Sequence, residues 1–260
     1  MHCYRCGYQL LQSPCNQLFT DCLRRLVTAQ RHMRILVIDI GGTHVKVLAT
    51  GHKKRVEIPS GPKMTPTKMV TAVQTATADW KYDAVSIGYP GAVVHGRLMA
   101  EPRHLEFGWV GFDFKKAFDR PVKIVNDAAM QALGSYQGGR MLFLGLGTGL
   151  GSALIVDNVL EPMELAHLPY KKGRTYEDYV GLAGLERLGK TKWRRHVNKV
   201  VEQLKSALLA DYVVLGGGNA SLLKKLPPGT RLGNNANAFQ GGYRLWNRLY
   251  SGSTNERFGH

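Results

Sequence analysis

The chain has 260 residues, 44% of them hydrophobic and 21% charged, enough for a sizeable core and ordinary for a soluble globular protein. Lys and Arg outnumber Asp and Glu 35 to 19, a formal charge of +16, so the surface attracts polyanions: nucleic acid, acidic membrane or a phosphate-rich substrate. No apolar run reaches the roughly 18–20 residues of a membrane-spanning helix. All four cysteines lie before residue 23, which excludes a disulfide framework for the rest of the chain and points to the cytoplasm.

Residues 1–33 read as a leader outside the fold. Cys3-x-x-Cys6, with Cys15 and Cys22, offers thiolates for zinc, but the spacing fits no zinc module closely, and the segment lacks the apolar region of a signal peptide. The leader is either an extension with no part in the fold or a small redox or zinc appendage. Met33 stands directly before the first strand.

Arg34 to Ile40 is an apolar, β-branched run that predicts a strand entering a tight turn at Asp39-Ile40-Gly41-Gly42-Thr43. Val45 to Ala49 and Arg55 to Ile58 complete a meander. Thr65 to Trp80 has helical spacing, with Thr65 as cap and Pro66 at the first helical position. Ala84 to Ile87 is a strand ending in a turn at Gly88-Tyr89-Pro90-Gly91. Pro121 to Val125 is another, followed by Asn126-Asp127 and a helix from Ala128 to Tyr136. Met141 to Leu146 then runs into Gly147-Thr148-Gly149-Leu150-Gly151, with Ser152 to Val156 returning. Helices are predicted from Tyr176 to Leu209, a strand from Tyr212 to Leu215 ending at Gly216-Gly217-Gly218, and a last helix from Asn237 to Leu249. The halves repeat one plan of strand, glycine turn, returning strand and helices. That echo predicts two α/β lobes, 34–134 and 135–250, with a cleft between them and the last helix free to return to the first lobe; 251–260 is a frayed tail.

Two glycine turns, one per lobe, offer backbone N–H groups to phosphate, because glycine lets the backbone approach closely. Thr43 and Thr148 add hydroxyls, and Lys46 adds a point charge. Asn126-Asp127 sits where a strand meets a helix. It is either a helix cap or a catalytic pair in which Asp127 accepts a proton from a substrate hydroxyl while Asn126 orients the substrate, as phosphoryl transfer requires. Glu164 and His167, three apart, either form a surface turn or face a sugar.

The ordered set Asp39-Ile40-Gly41-Gly42-Thr43, Tyr89-Pro90-Gly91, Asn126-Asp127, Gly147-Thr148-Gly149-Leu150-Gly151, Glu164-x-x-His167 and Gly216-Gly217-Gly218 resembles ROK-family sugar kinases, most closely their polyphosphate glucokinase branch, over residues 34 to 248. The resemblance implies a two-lobed actin-like ATPase (ribonuclease H-like) fold with a central cleft. It implies Asp127 as catalytic base for the 6-hydroxyl of glucose, and Asn126, Glu164, His167 and Gly91 as sugar ligands. Gly41, Gly42, Thr43, Lys46, Gly147, Thr148, Gly149, Gly151, Gly217 and Gly218 would hold the donor, and Asp39 would hold Mg²⁺ through water. Two departures stand out. No cysteine follows Glu164-x-x-His167, so no structural zinc is expected. In Arg103-His104-Leu105-Glu106-Phe107-Gly108-Trp109, His104 takes the place of a sugar-contacting Asn, which leaves the exact sugar open. No helix-turn-helix precedes Met33, so the family's DNA-binding repressors match poorly.

Gly184 to Thr191, GLERLGKT, fits the phosphate-loop pattern G-x-x-x-x-G-K-[ST]. A working loop needs a strand before it. Here the preceding residues have helical spacing, and Leu182, Leu185 and Leu188 run through the match as one packed face, so the match is read as a decoy. Its surroundings are strongly basic. Lys171, Lys172, Arg174, Lys190, Lys192, Arg194 and Arg195 form either a solvated face or a polyanion track leading to the cleft. Trp193 is the only aromatic between Tyr179 and Tyr212, which argues against single-stranded nucleic acid stacked on rings.

The function expected is phosphorylation of glucose from polyphosphate, with ATP as a further donor. A strictly ATP-dependent hexose kinase and a non-catalytic sugar-sensing or polyanion-binding protein are the alternatives. The expected partners are glucose or a related hexose and the phosphoryl donor, with no membrane and no DNA; a homodimer is compatible with the sequence.

Overall fold

The computed structural model describes residues 33–234 and 236–247. The leader up to His32 with its four cysteines, and the tail beyond Asn247, lie outside the described residues. Two five-stranded sheets carry the fold. The first is built from β1 (Ile35–Ile40), β2 (His44–Ala49), β3 (Val56–Pro59), β4 (Ala84–Tyr89) and, after the short hairpin β5 (Val93–Val94) and β6 (Arg97–Leu98), β7 (Val122–Asn126), in the order β3-β2-β1-β4-β7. The second is built from β8 (Arg140–Leu146), β9 (Leu150–Val156), β10 (Val159–Met163), β13 (Tyr212–Gly216) and β14 (Thr230–Leu232), in the order β10-β9-β8-β13-β14. In each, an antiparallel meander is followed by strands parallel to its first member. The echo between the halves is therefore a repeated topology.

Apart from Asp39 near the end of β1 and Arg140 at the start of β8, both lead strands are apolar, because both of their faces are covered. On β1, Leu36, Ile38 and Ile40 pack outward against α1 (Pro66–Ala76) and α2 (Phe114–Phe118). Ile35 and Val37 face a middle layer made by α3 (Asp127–Ser135) and α6 (Asn237–Arg244). On β8, Met141 and Phe143 face that same middle layer, while Leu142, Leu144 and Leu146 face α5 (Leu182–Ala207). The period-two alternation thus builds five layers, helix, sheet, helix, sheet, helix. Trp193 is the fully buried anchor of α5, and its Nε1 donates to the Val180 carbonyl at 2.9 Å.

Local chemistry explains where the elements start and stop. Thr65 caps α1 by accepting from the Lys68 amide at 3.2 Å. The helix stops at Ala76, short of the expected Trp80: Thr77 leaves the helical region at φ −120° and ψ 22°, while its hydroxyl and amide still close the last turn on the Val73 carbonyl. Trp80 leaves to stack on His52 at 4.0 Å. The predicted turn at Gly88-Tyr89 is still strand; β4 runs to Tyr89, fully buried and paired with β7. The 176–209 stretch is two helices, α4 (Glu177–Val180) and α5, with the hairpin β11 (Pro169–Lys171) and β12 (Arg174–Thr175) before them. Within α5, Gly189 adopts φ 71°, outside the helical region, so the helix kinks there. The last helix ends at Arg244, not Leu249, with Leu245 to Asn247 in turns.

The GLERLGKT match lies on α5 with a helix, not a strand, before it, and a Cβ on Gly184 would collide with the Tyr179 carbonyl. Among the described residues, no helix is long and apolar enough to cross a membrane.

Candidate functional site

A cleft of about 760 Å³ opens where β1, β4 and β7 end and the β8–β9 turn begins. Asp127, the first residue of α3, lies in it. Asn126 serves as the cap of α3, its Oδ1 accepting from the Ala128 and Ala129 amides at 2.9 and 3.3 Å. Its Nδ2 donates to the Gly91 carbonyl at 3.0 Å, which ties the β4 turn to the helix start. Asn126 therefore caps α3 and also lines the cleft. The Asp127 carboxyl is pushed up to about 7, first by burial and then by the charges of Asp39 and Glu164; the Ala128 amide, 2.7 Å from Oδ1, opposes the shift. A carboxylate with this affinity for protons suits a general base near neutral pH.

Asp39 stands near Asp127, and burial raises its pKa as well, opposed by Lys46 and Arg55. Lys46 is its cross-strand partner on β2. Among the described residues, no group of three or more His, Cys, Asp or Glu is arranged to hold a metal. Mg²⁺ needs no such group: it takes one or two carboxylates, keeps several waters and completes its shell with substrate phosphates.

The two glycine turns reach the cleft together. Gly41 and Gly42 line it from the first half; Gly147, Thr148, Gly149, Gly151 and Gly217 line it from the second. The first turn is closed by the Gly41 amide on the His44 carbonyl at 3.0 Å, and Ser60 Oγ donates to the Gly41 carbonyl at 2.7 Å. The second is braced by Asn219 Nδ2 on the Gly147 carbonyl at 3.0 Å and by the Leu182 amide on the Thr148 carbonyl at 3.1 Å. A Cβ on Gly42 would sit 3.2 Å from the His104 Cβ, so glycine there lets the His104 loop approach the turn. Gly91, His104, Glu164 and His167 also line the cleft. Asp39, Thr43, Lys46 and Gly218 do not.

Several cleft residues were not singled out from the sequence. Ser152 is buried on β9; its Oγ donates to the Met163 carbonyl at 2.7 Å and accepts from the Leu165 amide at 3.1 Å. It thereby grips the chain on both sides of Glu164. A lone serine inside the apolar strand LGSALIV was the available signal. Glu177 places Oε2 on the Leu150 amide at 3.2 Å, inside the second turn, and its Oε1 lies 3.5 Å from Arg103 of the first half. An exposed pair of this kind contributes about 0.2–1 kcal/mol. Nothing local marks either residue, since the pair joins segments that meet only in the fold.

None of Lys171, Lys172, Arg174, Lys190, Lys192, Arg194 and Arg195 lines the cleft. They lie on β11–β12 and α5, exposed except for Arg194, which is half-buried with Nε on the Leu222 carbonyl at 2.7 Å. Burial lowers the His196 pKa, and Lys171, Arg187 and Lys199 lower it further, so cations from the hairpin and the helix converge on one face.

The ROK family model matches residues 35–161. A polyphosphate glucokinase of Mycobacterium tuberculosis is 26% identical over 223 residues, covering 77% of this chain and 83% of its own. Among solved structures, an inorganic polyphosphate/ATP-glucomannokinase from Arthrobacter sp. strain KM aligns with a TM-score of 0.69 at 24% identity, over 81% of this chain and 97% of that one. A ROK family glucokinase from Streptomyces griseus in complex with glucose and AMPPNP aligns with a TM-score of 0.66 at 15% identity, over 82% and 98%. The fold is the actin-like ATPase fold of these kinases.

Proposed function

We propose that this relative of the ROK sugar kinases is a glucokinase that takes its phosphoryl group from inorganic polyphosphate and also from ATP. Its premise is the coarser conclusion that the chain is a phosphotransferase of the sugar-kinase class, in keeping with its relatives and its fold. One observation carries the reading: a carboxyl poised near pH 7 shares a single cleft with two glycine turns.

Glucose would lie against Asn126, Glu164, His167, Gly91 and His104, with its 6-hydroxyl on the Asp127 carboxylate. As the sugar oxygen bonds to the terminal phosphorus, the bridging P–O bond to the donor breaks. The hydroxyl proton passes to Asp127, and the shortened phosphate chain leaves with the electron pair. The glycine turns at Gly41, Gly42, Gly147, Thr148 and Gly149 would hold the donor oxygens through amides other than those of Gly41 and Gly147, which close the turns on the His44 and Gly149 carbonyls, with the Thr43 and Thr148 hydroxyls beside them. Asp39 would hold Mg²⁺ through water, and that ion would neutralise charge developing on the phosphates. Lys46 would act as a counter-charge to Asp39, and Gly217 and Gly218 would lie against a nucleoside. The basic residues of β11–β12 and α5 would bind the distal part of a polyphosphate chain.

A strictly ATP-dependent kinase is the second reading, favoured by the absence of the track residues from the cleft lining. The test is glucose 6-phosphate formation with polyphosphate or ATP, with Mg²⁺, at low and moderate salt. Turnover with polyphosphate that falls steeply with salt supports the proposal. Turnover with ATP alone establishes the second reading, and no turnover with either donor rejects both.

A further inference from the structure

We propose that Arg103 is a donor-binding residue that exchanges its partner, leaving Glu177 for the phosphate chain held at the β8–β9 turn. The inference rests on the kinase reading, and it starts from the charge of the cleft. Among the described residues that line it, Glu101, Asp127, Glu164, Glu177 and Asp178 are acidic, and Arg103 is the one Lys or Arg. Two of the acids are committed to the backbone. Glu101 accepts from the Trp109 and Val110 amides at 3.0 and 3.2 Å, and Asp178 accepts from the Thr175 amide at 2.8 Å. Asp127 and Glu177 each accept a single amide, from Ala128 and Leu150, and with Glu164 they keep negative charge on the cleft wall. A phosphoryl donor brings several negative charges into this acidic space, and Arg103 is the protein's own cation there.

Its present partner marks where it would go. The Glu177 carboxylate lies where a donor oxygen would, on the Leu150 amide of the second glycine turn, over a Gly149 that has no Cβ to exclude it. One oxygen takes that N–H, and the other faces Arg103. A carboxylate bound to a turn N–H and a guanidinium mimics the contacts of a phosphate oxygen. The pair is loose. At 3.5 Å it is longer than the 2.7–2.9 Å of a charge-assisted hydrogen bond, and the Arg103 side chain is 73% exposed. Phosphate takes a guanidinium through two parallel N–H bonds, so the exchange replaces a weak contact with a stronger one. The donor would displace Glu177 from both the amide and the guanidinium. Arg103 comes from the first half and the turn from the second, so the exchanged contact would also hold the cleft closed over the donor.

The test uses the whole chain and inorganic tripolyphosphate with Mg²⁺, titrated calorimetrically without sugar. Melting temperatures verify that each variant is folded. Arg103→Gln should weaken tripolyphosphate binding about tenfold or more, the loss expected for a hydrogen bond between charged partners. Arg103→Lys should recover part of that loss. Glu177→Gln, which removes the competing charge, should tighten binding. In turnover, Arg103→Gln should raise the donor KM while the glucose KM stays within about twofold, a split that general damage to the fold would not give. No tripolyphosphate binding to the wild type, a change under about twofold in Arg103→Gln, or no tightening in Glu177→Gln would each overturn the exchange. Wild-type turnover reads the kinase assignment separately. Phosphorylation of glucose with Arg103→Gln unaffected would sink this inference alone. Arg103-dependent anion binding without turnover would sink the kinase reading and leave the anion site standing.

Discussion

In the proposed mechanism Asp127 would accept the sugar proton, and its environment makes that role testable by pH. Its carboxyl is raised to about 7, so the basic form needed for proton acceptance is lost as the pH falls through that value. The kcat against pH should rise on the acid side with a midpoint near 7, and Asp127→Asn should lower kcat by about 10²–10⁴-fold without that limb. Stability has the opposite sign. The unfolded carboxyl titrates near 3.9, so the cost of burying the ionised form is absent below that pH and grows as the pH rises toward 7. Asp127→Asn should therefore melt higher than wild type at pH 8, by an amount equivalent to roughly 2–4 kcal/mol, with the gap closing by about pH 4. Ser152 acts at one remove. Ser152→Ala would leave the Leu165 amide unpaired and the Glu164 segment loose, so the glucose KM should rise several-fold with kcat little changed, and unfolding should become easier by about 1–3 kcal/mol. The Asn-Asp pair was legible in the sequence because a helix cap and a candidate base can stand at the same strand-to-helix junction. The elevated proton affinity was not, because Asp39 and Glu164 reach Asp127 only through the fold.

The strands were the most legible elements. Continuous apolar runs such as RILVIDI and MLFLGL announce strands buried on both faces, and the structure places them within a residue or two. The short pieces, α2, β5–β6 and β11–β12, are too brief for periodicity to register. Helix propensity misleads outright where α3 meets α6. Gly134 and Gly241 sit within helices, where alanine ordinarily stabilises by about 1 kcal/mol. Here a Cβ on Gly134 would run into the Asn237 carbonyl, and one on Gly241 into the Met130 carbonyl. These are backbone atoms and cannot swing aside. Gly134→Ala and Gly241→Ala should each destabilise by about 1–3 kcal/mol or more in urea unfolding; a gain in stability would show that the helices can separate cheaply. Arg244 strengthens the same crossing by donating to the Leu133 and Tyr136 carbonyls at 2.7 and 3.0 Å, at the end of α3.

At the scale of the molecule, the charge of +16 makes salt dependence the way to tell the donors apart. If the basic face binds the distal chain, the polyphosphate KM should climb steeply with salt. A Lys190→Gln, Lys192→Gln, Arg195→Gln variant should flatten that slope while leaving the ATP KM alone. Equal slopes in variant and wild type would assign those cations to solvent. A different consequence follows from α6. This last described helix packs on the first sheet: Ser86 Oγ donates to the Gly242 carbonyl at 2.7 Å, Trp246 Nε1 donates to Ser86 Oγ at 2.9 Å, and Lys123 Nζ donates to the Leu245 carbonyl at 2.8 Å. One face of the sheet begun at Ile35 is therefore finished by residues near 240. During synthesis, Val37 and its neighbours stay uncovered until those residues emerge from the ribosome, so the amino-terminal half depends on the carboxyl-terminal end to complete its own folding.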